Sequence, residues 1–155
     1  MTEIAVFGSV TESFSRRNLN RSVADALAMF APVVEQARQG GVRVRGYLSM
    51  VFGDPWEGEV TTSQSADVAR RMWAMGVHEL SLGDTIGVGT PLQVQRLITA
   101  LAGDVPLEAL AVHLHDTYGQ ALANVLAALE SGVTIVDSAV GGLGGCPYAT
   151  AQRAI

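Results

Sequence analysis

Short apolar runs alternate with amphipathic segments along the whole chain, and that rhythm limits the folds open to it. Strand-like runs cover residues 4–9 (IAVFGS), 42–52 (VRVRGYLSMVF), 78–84 (HELSLGD), 107–116 (LEALAVHLHD) and 133–140 (VTIVDSAV). Helical patterns fill residues 22–41, 63–76 and 120–132, and another helix starts after Thr90, with Pro91 at its first position. Ser22 reads as an N-cap with Asp25 three residues on, and Gly40-Gly41 stops that helix. Pro32 falls inside it and is expected to kink it. Residues 53–62 read as a loop. Five strands and four helices in alternation are the pattern of βα units around a parallel sheet.

Two architectures fit this rhythm. A doubly wound sheet of five strands is complete at 155 residues. A (β/α)8 TIM barrel takes about 250 residues, so the chain would form part of one. Hydrophobic residues make up 48% of the chain and charged residues 16%. That balance suits strands covered on both faces, or a piece of a larger protein. No low-complexity linker interrupts the pattern, so residues 1–155 are expected to form a single domain.

The formal charge is -5 and no basic stripe runs along the chain, so nucleic acid is not an expected partner. Arg16, Arg17 and Arg21 form the local basic cluster. They read as a solvated helix entrance, with an anionic substrate group as the alternative. The single cysteine, Cys146, allows no internal disulfide and fits a reducing compartment. The apolar runs fall short of the about 20 residues of a membrane helix. The start, MTEIAVFGSV, lacks the pattern of a signal peptide, and the expected location is the cytoplasm.

Polar residues gather late in the strands: Ser9, Ser49, Asp84, His113, His115 and Asp137 or Ser138. Active sites form at the carboxyl ends of strands in both candidate folds. His113 and His115 are two apart, so on a strand both side chains leave the same face while Leu114 leaves the other. Two neutral imidazoles can bind a divalent ion. The competing reading is one hydrogen-bonded core histidine and one exposed. Asp84, in SLGDTIG, is a general acid or base, an orienter of a histidine, or a cap on backbone N–H groups of the turn. Asp116 reads as such a cap. The run GGLGGCPYA carries Cys146 on a glycine-rich loop that either brings a thiol over a pocket or is a plain surface loop with a small, half-buried cysteine. It lacks the Gly-Lys-Ser/Thr ending of a phosphate-binding loop. Tyr47 and Ser49 line the same pocket or fill the layers of a barrel interior. Gly87 and Gly89 read as turn formers.

Together, RGYLSMVFGDPWEG, ELSLGDTIGVGTP, LAVHLHDTYGQALAN and VDSAVGGLGGCPYA resemble hydroxymethylglutaryl-CoA lyase, in that family's order and spacing. The resemblance runs from residue 4 to about residue 149. It implies a partial (β/α)8 TIM barrel of about five βα units, corresponding to the family's fourth to eighth strands. It implies His113 and His115 as metal ligands, Cys146 as the catalytic loop thiol, His113 as proton exchanger and Asp84 as an aspartate that assists catalysis. The implied cofactor is a divalent metal, Mg or Mn. The implied substrate is an acyl-CoA, 3-hydroxy-3-methylglutaryl-CoA, cleaved to acetyl-CoA and acetoacetate in leucine breakdown. A homo-oligomer, a dimer, is the expected assembly.

The departures from the family shape a further expectation. No part of the chain corresponds to the family strands that supply an Arg, a metal-binding Asp and a Glu. Ile155 stands where another ligand, an Asn, would fall. The chain therefore reads as a truncated fragment, with weak metal binding and little lyase activity. An isopropylmalate-type synthase or a biotin-linked carboxyltransferase is the alternative enzyme reading. A non-catalytic half barrel that self-associates through open sheet edges is the alternative from another class.

Overall fold

The computed structural model describes residues 1–149, so Ile155 lies outside the described residues. The elements are β1 (Glu3–Ser9), α1 (Glu12–Leu19), α2 (Val23–Gln39), β2 (Arg43–Ser49), a hairpin of β3 (Gly53–Asp54) and β4 (Gly58–Glu59), α3 (Thr62–Ala74), β5 (Glu79–Asp84), α4 (Pro91–Leu101), β6 (Leu110–Leu114), α5 (Ala121–Glu130) and β7 (Ile135–Val136). The helix starts follow their local chemistry. Ser22 Oγ accepts the N–H of Asp25 at 3.0 Å. Thr61 with Gln64, and Thr90 with Gln93, close reciprocal capping boxes. Pro32 sits inside α2, which runs on as one helix to Gln39.

Five strands form one sheet in the order β1-β2-β5-β6-β7, and each neighbouring pair is parallel. The order never reverses, whereas a doubly wound sheet must reverse at a switch point. With right-handed crossovers, an unreversed parallel order puts its helices on one face. This excludes the doubly wound alternative and leaves the singly wound arrangement of a TIM barrel.

Alternation along the strands separates the two faces. Val6, Val44, Leu48, Leu80, Leu82, Leu110 and Val112 pack into the core with Leu27, Phe30, Val34, Met72, Leu97, Ile98 and Leu101 from the helices. Gly8 and Gly46 let Met72 approach closely, because a Cβ at either would lie within 2.8 Å of its side chain. The opposite face carries Phe7, Arg45, Tyr47, Ser81 and His113, and it is polar for a sheet interior.

Three elements depart from the sequence expectation. The Arg16–Arg17 segment is itself a helix, α1, too short and polar to show an apolar stripe. The loop of residues 53–62 contains the β3–β4 hairpin. The last strand is two residues long: its pairing with β6 ends at Val136, with Asp137 N–H still bonding Val112 O at 2.9 Å.

Candidate active site

The carboxyl ends of β2, β5 and β6 open onto a cavity of about 360 Å3. Tyr47, Ser49, Thr85, His113, His115 and Cys146 are among its walls. The structure thus brings His113, His115 and Cys146 together around one space, with Tyr47 and Ser49 beside them. Leu114 packs against the core on the other side of the sheet.

The two imidazoles converge through Nε2, 3.2 Å apart. Their other nitrogens are fixed. His115 Nδ1 lies 2.7 Å from Thr85 O, and a carbonyl only accepts, so that nitrogen is assigned the proton. His113 Nδ1 lies 3.1 Å from Asp137 Oδ2. Arg45, His113 and Ser81 hold the Asp137 carboxyl below the usual carboxylate range, against the opposing effect of its burial. An ionised carboxylate also only accepts, so His113 is assigned Nδ1–H. Both Nε2 atoms then present lone pairs to each other. Such an approach is favourable only with a cation or a proton between them.

The donor set fits a divalent ion in part. Nitrogens 3.2 Å apart can both reach one centre at the roughly 2.1 Å of imidazole–metal bonds. Asp137 supplies the outer carboxylate that such ligands commonly carry. Among the described residues, no group of three or more His, Cys, Asp or Glu side chains is placed to hold one ion. Two nitrogens alone bind weakly, so further ligands are required.

Asp84 stands apart from the cavity wall. It is 1% exposed, and its carboxylate accepts the N–H of Val88 at 3.1 Å and of Gly89 at 2.8 Å. Burial pushes its carboxyl up from the ordinary value, and these amides and nearby His115 pull it back. It anchors the turn whose Thr85 carbonyl fixes His115. Gly87, at φ +70°, is what lets that turn lie against residue 115: a Cβ there would sit 2.8 Å from His115 O. Asn124, fully buried on α5, clamps the turn through Nδ2–H to Gly89 O at 2.8 Å. Asp116 accepts the N–H of Ala121 at 2.9 Å and so caps α5.

Arg45 and Thr85 lie outside the candidate residues that the sequence alone suggests, and Asp137 is among them only as a strand-end polar residue. Arg45 pairs with Asp137 at 2.8 Å and with Glu79. The alternation Arg43, Arg45, Tyr47 was the available signal for an inward-facing arginine. Nothing local marks its partner 92 residues on.

Beyond the glycine loop lies a second cavity of about 540 Å3, walled by Phe52, Trp56, Ile86, Val88, Tyr118 and Tyr148. Pro147 borders both cavities. The arginine cluster is engaged locally: Arg16 pairs with Glu12, Arg17 lies 4.3 Å over the Trp56 ring, and Arg21 bonds Asn20 O.

Sheet and site together define an α/β protein of the TIM-barrel kind with an imidazole–thiol pocket at the carboxyl ends of its strands. A family model described as HMGL-like matches residues 1–152, and the chain belongs to that family. It is 58% identical over 147 residues to the Pseudomonas aeruginosa 3-hydroxy-3-isohexenylglutaryl-CoA/hydroxy-methylglutaryl-CoA lyase, covering 95% of this chain and 49% of that one. The crystal structure of hydroxymethylglutaryl-CoA lyase from Pseudomonas aeruginosa superposes with a TM-score of 0.91 at 57% identity, over 96% of this chain and 50% of the other. An Acinetobacter baumannii HMG-CoA lyase, solved with coenzyme A and 3-methylmalate, gives 0.89 at 34% identity, over 96% and 48%. The chain spans about half the length of the curated relatives it matches. No described helix is long and apolar enough to cross a membrane.

Proposed function

We propose that this chain carries the imidazole–thiol half of a site that cleaves 3-hydroxy-3-methylglutaryl-CoA to acetyl-CoA and acetoacetate. In this reading its five-stranded sheet is the fourth to eighth strands of a barrel, and ligands from elsewhere complete the ion's shell. The observation that carries the reading is the convergence of two Nε2 atoms at 3.2 Å in the cavity that also holds Cys146.

His113 and His115 would hold a divalent ion, Mg or Mn, which when bound polarises the substrate oxygens. Nε2 is the only ring nitrogen of His113 not committed to Asp137. That one lone pair can hold the ion or take the tertiary hydroxyl proton, not both, so in this reading the proton passes to Nε2 while His115 and the ligands from elsewhere hold the ion. As the C2–C3 bond breaks, C3 becomes the ketone of acetoacetate and the bonding pair passes to C2. The Cys146 thiol then protonates C2, completing acetyl-CoA. The glycine loop bearing Cys146 keeps water from that carbanion-like carbon. Asp84 assists at one remove by holding the turn that positions His115. A cytoplasmic location and a dimer belong to the same reading.

A chimera tests it: residues 1–149 replace the matched segment of the Pseudomonas aeruginosa enzyme. The folded chimera is expected to release acetoacetate from 3-hydroxy-3-methylglutaryl-CoA and to lose that activity on His113→Ala. A folded, inactive chimera beside an active parent sinks the proposal, and condensation of acetyl-CoA with a 2-oxo acid would favour a synthase. The isolated chain is expected to turn over far more slowly than the parent. One observation favours a longer substrate as a second reading: the cavity beyond Pro147, though Asp54, Glu59 and Gln93 also line it, offers apolar wall from Phe52, Trp56, Ile86 and Val88 to a branched 3-substituent, such as the isohexenyl group in the relative's name.

A further inference from the structure

We infer that Asp137 is a positioning residue that fixes His113 as the Nδ1–H tautomer and so aims its Nε2 lone pair at the ion. The inference rests on the proposed role of His113 and His115 as ligands.

Both Asp137 oxygens are occupied. Oδ1 takes Arg45 Nη1 at 2.8 Å, and Oδ2 takes Ser81 Oγ at 3.0 Å and His113 Nδ1 at 3.1 Å. The carboxylate therefore lies outside the ion's ligand set and acts through the imidazole. Its own position is fixed from two other strands, by Arg45 on β2 and Ser81 on β5. Arg45 is in turn held by Glu79 and stacks 4.7 Å over the Tyr47 ring. Asp137 sits just past the two-residue β7, where the backbone leaves the sheet and the side chain reaches across to β6.

His115 differs in one useful way. A backbone carbonyl holds its Nδ1, which no side-chain substitution at residue 137 removes. It is an internal control for His113.

The test uses the full chain with 15N-labelled histidine, at a pH where both rings are neutral. Side-chain 15N shifts report each tautomer without metal, and Zn2+ titration reports affinity. In the wild type both rings are expected as Nδ1–H. Asp137→Ala is expected to move His113 toward Nε2–H, leave His115 unchanged and weaken Zn2+ binding about 10–100-fold. If Asp137→Ala does not fold, the isosteric Asp137→Asn carries the same readout, with a smaller shift because its amide oxygen still accepts. A His113 that stays Nδ1–H in the folded variant, or that is Nε2–H in the wild type, overturns the inference. So does a joint shift of both rings, which marks a structural effect. Failure of the wild type to bind Zn2+ counts against the proposed function, and the tautomer readout still decides the role of Asp137.

Discussion

Replacing Gly87 by alanine tests whether the turn of residues 85–89 positions His115. Two costs follow from the geometry. The first is conformational: Gly87 holds φ +70°, where an L-residue pays about 1–2 kcal/mol. The second is steric: the new Cβ would lie 2.8 Å from His115 O and 2.7 Å from Thr117 Oγ1. The carbonyl is backbone, so relief requires the peptide of residue 115 to retreat by several tenths of an ångström. Overpacking of this kind costs about 1–3 kcal/mol. The total, roughly 2–5 kcal/mol, lowers the melting temperature of a chain this size by roughly 5–20 °C. Gly119 separates the two costs, because it holds φ +71° and a Cβ added there would meet nothing within 4 Å. Gly119→Ala should therefore show the first cost alone. Circular dichroism melts measure both variants, and Zn2+ titration of the folded proteins follows the histidine pair. Gly87→Ala should weaken Zn2+ binding and Gly119→Ala should not. Equal melting temperatures for the two variants would refute the claim that the turn is packed against residue 115.

Cys146→Ser should leave the fold and Zn2+ affinity within error while strongly reducing acetoacetate release in the chimera, since the thiol meets the cavity without touching the histidines' hydrogen bonds. The metal-free chain should lose stability in acid partly through Asp137. Its folded carboxyl binds a proton less tightly than the unfolded one, so its contribution is complete above about pH 4 and is lost as the pH falls toward the folded value. The melting-temperature gap between wild type and Asp137→Asn should accordingly shrink from pH 7 to pH 3; a constant gap would contradict the ion-paired carboxylate.

Local signals made much of the fold legible. Ser22 with Asp25, and Thr90 with Pro91 and Gln93, announce helix starts because the capping partners lie within three residues. His-Leu-His announces its own geometry, since strand alternation alone puts both rings on one face. α1 was hidden because ESFSRRNL shows no apolar stripe. The supports of the site were hidden for another reason. Arg45 meets Asp137 across strands that are not ladder neighbours, and that meeting exists only once the sheet curls. Asp84 in SLGDTIG serves two backbone amides, which is the capping role that the sequence left open beside a catalytic one.

The glycine loop joins two environments on one short lever. Cys146 meets the histidine cavity, while two residues on Tyr148 sets its ring edge-on to Phe14 and Trp56, at 5.5 and 5.4 Å. A displacement of the loop as a unit that withdraws the thiol would also separate the tyrosine from that tryptophan. Trp56 is one of two tryptophans in the chain, and the other, Trp73, is packed against the core on the helix side of the sheet. Its emission is therefore expected to report such a displacement in the unlabelled protein.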